Sequence, residues 1–161
     1  MIYFHVTIII INNRNNLFPA AHCLKPTEGT TFNPEDITVV LGKTNLKNWV
    51  HNSTLRIASK IVIHPDYERP ADADIAIIVL DRPVEFEITI RPICLWDESD
   101  DLKNVINIYG RLVGWGKDEN YKPFVKIPKQ IDLPIVSQWT CLNEDNRYYK
   151  LTSYRTFCSG K

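Results

Sequence analysis

The chain has 161 residues, with 19 basic against 19 acidic side chains, 44% apolar residues and 24% charged residues. That balance excludes a chain too polar to fold. Zero net charge argues against a bulk electrostatic partner such as nucleic acid or an anionic membrane surface.

In chain order, the first element is the apolar run Met1 to Ile11, which ends in four isoleucines. It is much shorter than the roughly 20 residues that cross a bilayer. It also lacks the basic start and small-residue cleavage site of a secretory leader. Its β-branched end reads as a buried strand. Ile37, Val39 and Leu41 then alternate with more polar neighbours. Leu55, Ile57, Ile61 and Ile63 read as one apolar face opposite Arg56, Lys60 and His64. Ile75 to Leu80 is continuously apolar, the pattern of a strand covered on both faces. The stretch Trp96 to Asn104 is acidic and reads as a linker. Beyond it, Ile131, Leu133 and Ile135 repeat the two-residue period, and Ser137 to Asn146 reads as one short helix with Ser137 as N-cap. Ten prolines and six glycines punctuate these runs. Many short strands separated by turn residues predict an all-β barrel or sandwich.

Cys23, Cys94, Cys141 and Cys158 form no C-x-x-C pair, which argues against a zinc ribbon or a thioredoxin-like redox site. The even count suits disulfides without choosing a pairing. Asn52-Ser53-Thr54 is an N-glycosylation acceptor triplet, which belongs on the surface loop of a secreted protein. A zinc site built from His22, Cys23, His51 and His64 fits no usual ligand spacing.

Three local signals carry chemistry. In Ala20-Ala21-His22-Cys23, two small residues allow close packing ahead of an imidazole. A lone histidine is more often structural than catalytic. In Asp74-Ile75-Ala76-Ile77, 52 residues later, a carboxylate heads an apolar strand. A carboxylate there needs a cation or an N–H donor, and a histidine Nδ1–H is such a donor. Asp72 competes for that role; Asp74 is preferred because it abuts the buried run. The third signal is Val113-Gly114-Trp115-Gly116, where the glycines free the backbone and the indole offers packing surface.

Together these signals resemble the trypsin/chymotrypsin family of serine proteases, from about Asn12 to Gly160. Ala20-Ala21-His22-Cys23 resembles the family's general-base motif, and Asp74-Ile75-Ala76 its triad-aspartate motif. His64-Pro65-Asp66-Tyr67 is similar to the loop before that aspartate. Arg91-Pro92-Ile93-Cys94-Leu95 resembles the exit from the first barrel, and Gly114-Trp115-Gly116 the start of the second. Leu133-Pro134-Ile135-Val136-Ser137 with Cys141, then Phe157-Cys158-Ser159-Gly160, resembles a helix and loop that the family closes with a disulfide. Within the family, Ile93 to Glu98 and Val113 to Glu119 are most similar to insect proteases of the gastrulation-defective type.

The resemblance implies a double β-barrel. Residues 1–95 would form a nearly complete first barrel, 96–104 a linker, and 105–161 part of the second. It implies His22 and Asp74 as catalytic residues and a Cys141–Cys158 disulfide. It further implies an extracellular, secreted endopeptidase that works through an acyl-enzyme. The partners would be a protein or peptide substrate and other proteases of a cascade, with no metal or organic cofactor. The family's nucleophile lies in a Gly-Asp-Ser-Gly-Gly stretch downstream of the segment matching Cys158, and the chain ends at Lys161 before such a stretch. Ser159 lacks the flanking Asp and glycines. The expectation is therefore a fragment that is inactive and poorly stable alone. The alternative is a non-catalytic homologue that regulates or binds within a cascade. Cys23 usually has an upstream partner in the family; here that neighbourhood is Val6, Thr7 and Ile8.

Overall fold

The computed structural model describes residues 9–10 (backbone only), 14–25, 29–47, 53–68, 72–96, 101–116 and 126–160. They form two antiparallel sheets and one α-helix, an all-β fold as expected.

The first sheet has five strands: β1 (Ile9–Ile10), β2 (Asn16–Phe18), β3 (Thr38–Leu41), β4 (Thr54–Ile63) and β5 (Ala76–Leu80). Their spatial order is β1-β2-β5-β4-β3. Of the isoleucine-rich N-terminal run, Ile9 and Ile10 are described, and they pair with Phe18 and Leu17 of β2. Strand β5 sits between β2 and β4, which explains its continuous apolar sequence. Ala76, Ile78 and Leu80 are buried on one face, while Ile77 and Val79 are half-buried on the other. Strand β3 alternates as its sequence predicts, with Val39 and Leu41 inward. Gly42 ends it at φ 75°, a left-handed backbone that a residue with a Cβ adopts only at a cost.

Strand β4 departs from the expected pattern. Leu55 and Ile57 do not share a face with Ile61 and Ile63. They are 53% and 48% exposed, whereas Ile61 and Ile63 pack against the core. A bulge between Ala58 and Lys60 is the cause: Ala58 pairs with Leu80 and Lys60 with Val79, so one extra residue sits on β4. One inserted residue exchanges the two faces of a strand whose side-chain period is two. Before the bulge the even positions face inward; after it the odd ones do.

The second sheet contains β6 (Tyr109–Gly114), β7 (Lys129–Val136) and β8 (Cys158–Ser159), in the order β6-β7-β8. Helix α1 (Gln138–Glu144) follows β7 directly. Ser137 caps it as expected, its hydroxyl oxygen accepting from Thr140 N–H at 3.0 Å. A 3-10 turn, Asn146–Lys150, then begins at Asp145, whose carboxylate accepts from Arg147 N–H. Cys141 and Cys158 are bonded to each other, with Cα atoms 6.2 Å apart, and this ties α1 to β8.

Among the described residues, the buried apolar ones run from Leu17 to Ile90 and belong to the first half; Cys158 is the exception in the second. Among the described residues, contacts that join the halves include Leu46 N–H to Lys126 C=O, the Trp115 indole N–H to Thr44 C=O, and ion pairs of Arg155 with Asp66 and Asp72. Among the described residues no helix is long and apolar enough to cross a membrane.

Candidate active site

The register of β2 against β5 brings the site together. Leu17 pairs with Ile78, and the Ala76 N–H continues the ladder to Pro19 C=O at 2.9 Å. Followed two residues further, the register sets Asp74 beside Ala21. There the chain leaving β2 turns into a one-turn 3-10 helix, Ala21–Cys23. Residues three apart eclipse in such a turn. Ala21 and Leu24 accordingly share the buried side, at 0% and 2% exposure, and His22 is turned outward. A larger side chain at Ala21 would have no room, which is the structural reason for small residues ahead of the histidine.

His22 meets Asp74 twice. Its backbone N–H donates to Asp74 Oδ1 at 2.9 Å, and its ring Nδ1 lies 2.6 Å from Asp74 Oδ2. A carboxylate only accepts, so Nδ1 carries the proton and Nε2 is left as the nitrogen for proton exchange. The imidazole is half exposed at 52%, whereas the Asp74 side chain is 19% exposed. The carboxylate is thus shielded while the base faces outward.

The turn that carries Asp74 is tight. Ala73 has φ 50°, unusual for a residue with a Cβ, and Ile75 N–H returns to Ala73 C=O at 2.7 Å. His64 N–H donates to Ile75 C=O, and the His64 ring Nδ1 accepts from Asp66 N–H. The His64-Pro65-Asp66-Tyr67 segment thereby lies against this turn. Asp72 does not face His22. Its Oδ1 is sealed from solvent without a hydrogen bond, 3.7 Å from the Arg155 guanidinium.

Cys23 is not a competing nucleophile. Burial, and then the charge of Asp74, raise its thiol above the ordinary range, so it is protonated at neutral pH. Burial likewise raises the Tyr67 phenol, with Asp74 and Cys23 adding to the effect. Cys23 and Cys94 are both free thiols in this structure. Ser159 pairs with Ile135 in β8. Among the described residues no three of His, Cys, Asp or Glu converge as metal ligands; His51 lies outside the described residues, as does Asn52 of the acceptor triplet. Arg155 gave no signal in the sequence. A single arginine in a loop has no periodicity or spacing to mark it, and its carboxylate partners lie 89 and 83 positions earlier in the chain.

An outward imidazole oriented by a shielded carboxylate can accept a proton from a hydroxyl brought to its Nε2 and later return it. The chain is also similar to known proteins. The Trypsin family profile matches residues 7–161. Serine protease gd of Drosophila melanogaster is 33% identical over 160 residues, covering 88% of this chain and 30% of that relative. Coagulation factor IX of Oryctolagus cuniculus is 29% identical over 156 residues, covering 93% of this chain and 52% of the relative. Coagulation factor IX of Cavia porcellus is also 29% identical, and there the match covers 50% of the relative. The chain therefore spans between about a third and about half of the length of these relatives.

Proposed function

This chain belongs to the trypsin family, and from that premise we propose that it carries the base half of the catalytic apparatus of a secreted serine endopeptidase. The observation that supports this most is the 2.6 Å contact of His22 Nδ1 with Asp74 Oδ2, reinforced by the 2.9 Å backbone hydrogen bond to the same carboxylate.

In the proposed mechanism His22 Nε2 removes the proton of a serine hydroxyl as that oxygen attacks a peptide carbonyl. The oxygen–carbon bond forms, and His22 then protonates the departing amine as the C–N bond breaks. Water, deprotonated in turn by His22, hydrolyses the acyl-enzyme. Asp74 holds the tautomer and compensates the imidazolium that forms in each step. The serine would be that of a Gly-Asp-Ser-Gly-Gly stretch, the nucleophile motif of the family.

Residues 1–95 and 105–161 serve as the two barrel halves and 96–104 as the linker, a division supported by where β5 ends and β6 begins. The substrate is a protein or peptide. A place among other extracellular proteases is supported by relatives named as a serine protease and as coagulation factors. Glycosylation at Asn52 belongs to the same reading, and the exposure of Ser53 supports it.

The test is covalent capture by a fluorophosphonate probe, which labels only an activated serine. Full-length, proteolytically processed protein is expected to label, and His22→Ala to lose the label. Processed protein that stays unlabelled with His22 and Asp74 intact would support the non-catalytic regulator instead.

A further inference from the structure

We propose that Arg155 is a positioning residue for the His22–Asp74 pair: its guanidinium holds Asp66 and Asp72 together and so fixes the turn that aims the Asp74 carboxylate at His22. This rests on the reading of His22 as general base and Asp74 as its orienting carboxylate.

The turn at Asp72-Ala73-Asp74 does not hold itself. Ala73 has a left-handed backbone at φ 50°, which an alanine leaves unless its surroundings over-determine it. On the downstream side the restraints are visible: Ile75 and Ala76 are hydrogen-bonded to Ala73, His64 and Pro19. On the upstream side stands Asp72, whose Oδ1 is closed to solvent and accepts no hydrogen bond. A carboxylate oxygen in that state needs a nearby cation. The cation present is Arg155, with Nη1 3.7 Å from that oxygen. The same guanidinium donates through Nη2 to Asp66 Oδ2, on the segment that His64 holds against the turn. One cation thus compensates two carboxylates on either side of the turn's entry.

Arg155 is itself anchored. Its N–H donates to Ser153 Oγ, and Ser153 and Thr156 exchange three hydrogen bonds across it. Its guanidinium lies 4.6 Å over the Tyr154 ring. Three residues on, Cys158 is bonded to Cys141 of α1. An exposed surface ion pair contributes little. This one differs because the Arg155 side chain is only 27% exposed, one of its partners has no other compensation among the described residues, and it comes from the loop that leads into β8 of the other sheet. The folding of the second half thereby bears on the geometry of a pair contained wholly in the first.

The experiment uses the full-length product carrying this chain, with histidine labelled in ¹⁵N. The readout is the low-field proton on His22 Nδ1, assigned by its absence in His22→Gln. It is expected to exchange slowly with solvent in the wild type. Arg155→Ala should speed that exchange by about tenfold or more, by populating an open turn. Arg155→Lys, which keeps the charge, should retain most of the protection. If Arg155→Ala does not fold, the isosteric pair Asp66→Asn with Asp72→Asn is read in the same way and is expected to lose protection likewise. A wild type without the proton overturns the His22–Asp74 reading and the positioning role with it. A wild-type signal unchanged in Arg155→Ala, or in the double Asn variant, overturns the positioning role alone. Loss in Arg155→Lys as complete as in Arg155→Ala also overturns it, because charge is then not what matters.

Discussion

The two halves of this chain are both antiparallel sheet, yet they hold together differently. In the first, residues from Leu17 to Ile90 close a single core in which Leu17, Leu24, Val84 and Ile90 are all within 2% of complete burial. In the second, Cys158 is buried, while Leu112, Ile127, Ile131, Trp139 and Phe157 are each more than half exposed. What substitutes for a core there is local: a disulfide, a helix cap and paired side chains such as Arg111 with Asp132. Pairing strands satisfies the backbone, but it does not by itself remove apolar side chains from water; that requires a second layer. The proposed site draws on both halves, with His22 and Asp74 on the well-packed one and Arg155 on the open one.

The largest expected effect probes the first half alone. Asp74→Asn keeps the shape of the site but removes the acceptor that orients His22. In processed full-length protein that takes the fluorophosphonate label, kcat should fall about 10⁴-fold, the size known for this change in a chymotrypsin-type triad, with the fold unchanged by circular dichroism. A loss below tenfold would separate Asp74 from catalysis.

Next comes the direct contrast of cores. Leu17→Ala should cost about 2–5 kcal/mol in denaturant unfolding, because it opens a cavity at a site with 0% exposure. Ile131→Ala, at 52% exposure, should cost less than about 1 kcal/mol. Equal losses would mean that Ile131 is covered in the full-length protein. Removing the disulfide by Cys141→Ser with Cys158→Ser should cost about 3 kcal/mol, the loop entropy for a separation of 17 residues. The loss should appear in the second half first, as faster amide exchange in β8 before β5. The smallest effect is Ser137→Ala, about 1 kcal/mol from the lost cap on α1. A chain in which this cap outweighed Leu17 would reverse the comparison.

Much of this was legible beforehand because it is local. Alternation marked β3, an unbroken apolar run marked β5 as an inner strand, and a serine before a short polar-apolar stretch marked α1. The choice of Asp74 over Asp72 followed from its abutting that run, and the structure points Asp74 at His22 and Asp72 at Arg155. The bulge in β4 was not legible. Ser59 and Lys60 look like ordinary strand residues, and only pairing against β5 shows that one position is unmatched.

By itself, the sequence determined which residues could do chemistry and which segments could be strands, since both depend on side-chain type and on spacing along a few residues. The tertiary structure decided which of those residues meet. The register of β2 on β5 placed Asp74 beside the turn of His22, the bulge chose which isoleucines go inside, and the approach of the second half brought Arg155 to Asp66 and Asp72. Each is a contact between positions far apart in the chain, where proximity is set by the pairing of whole strands and leaves no trace in local composition.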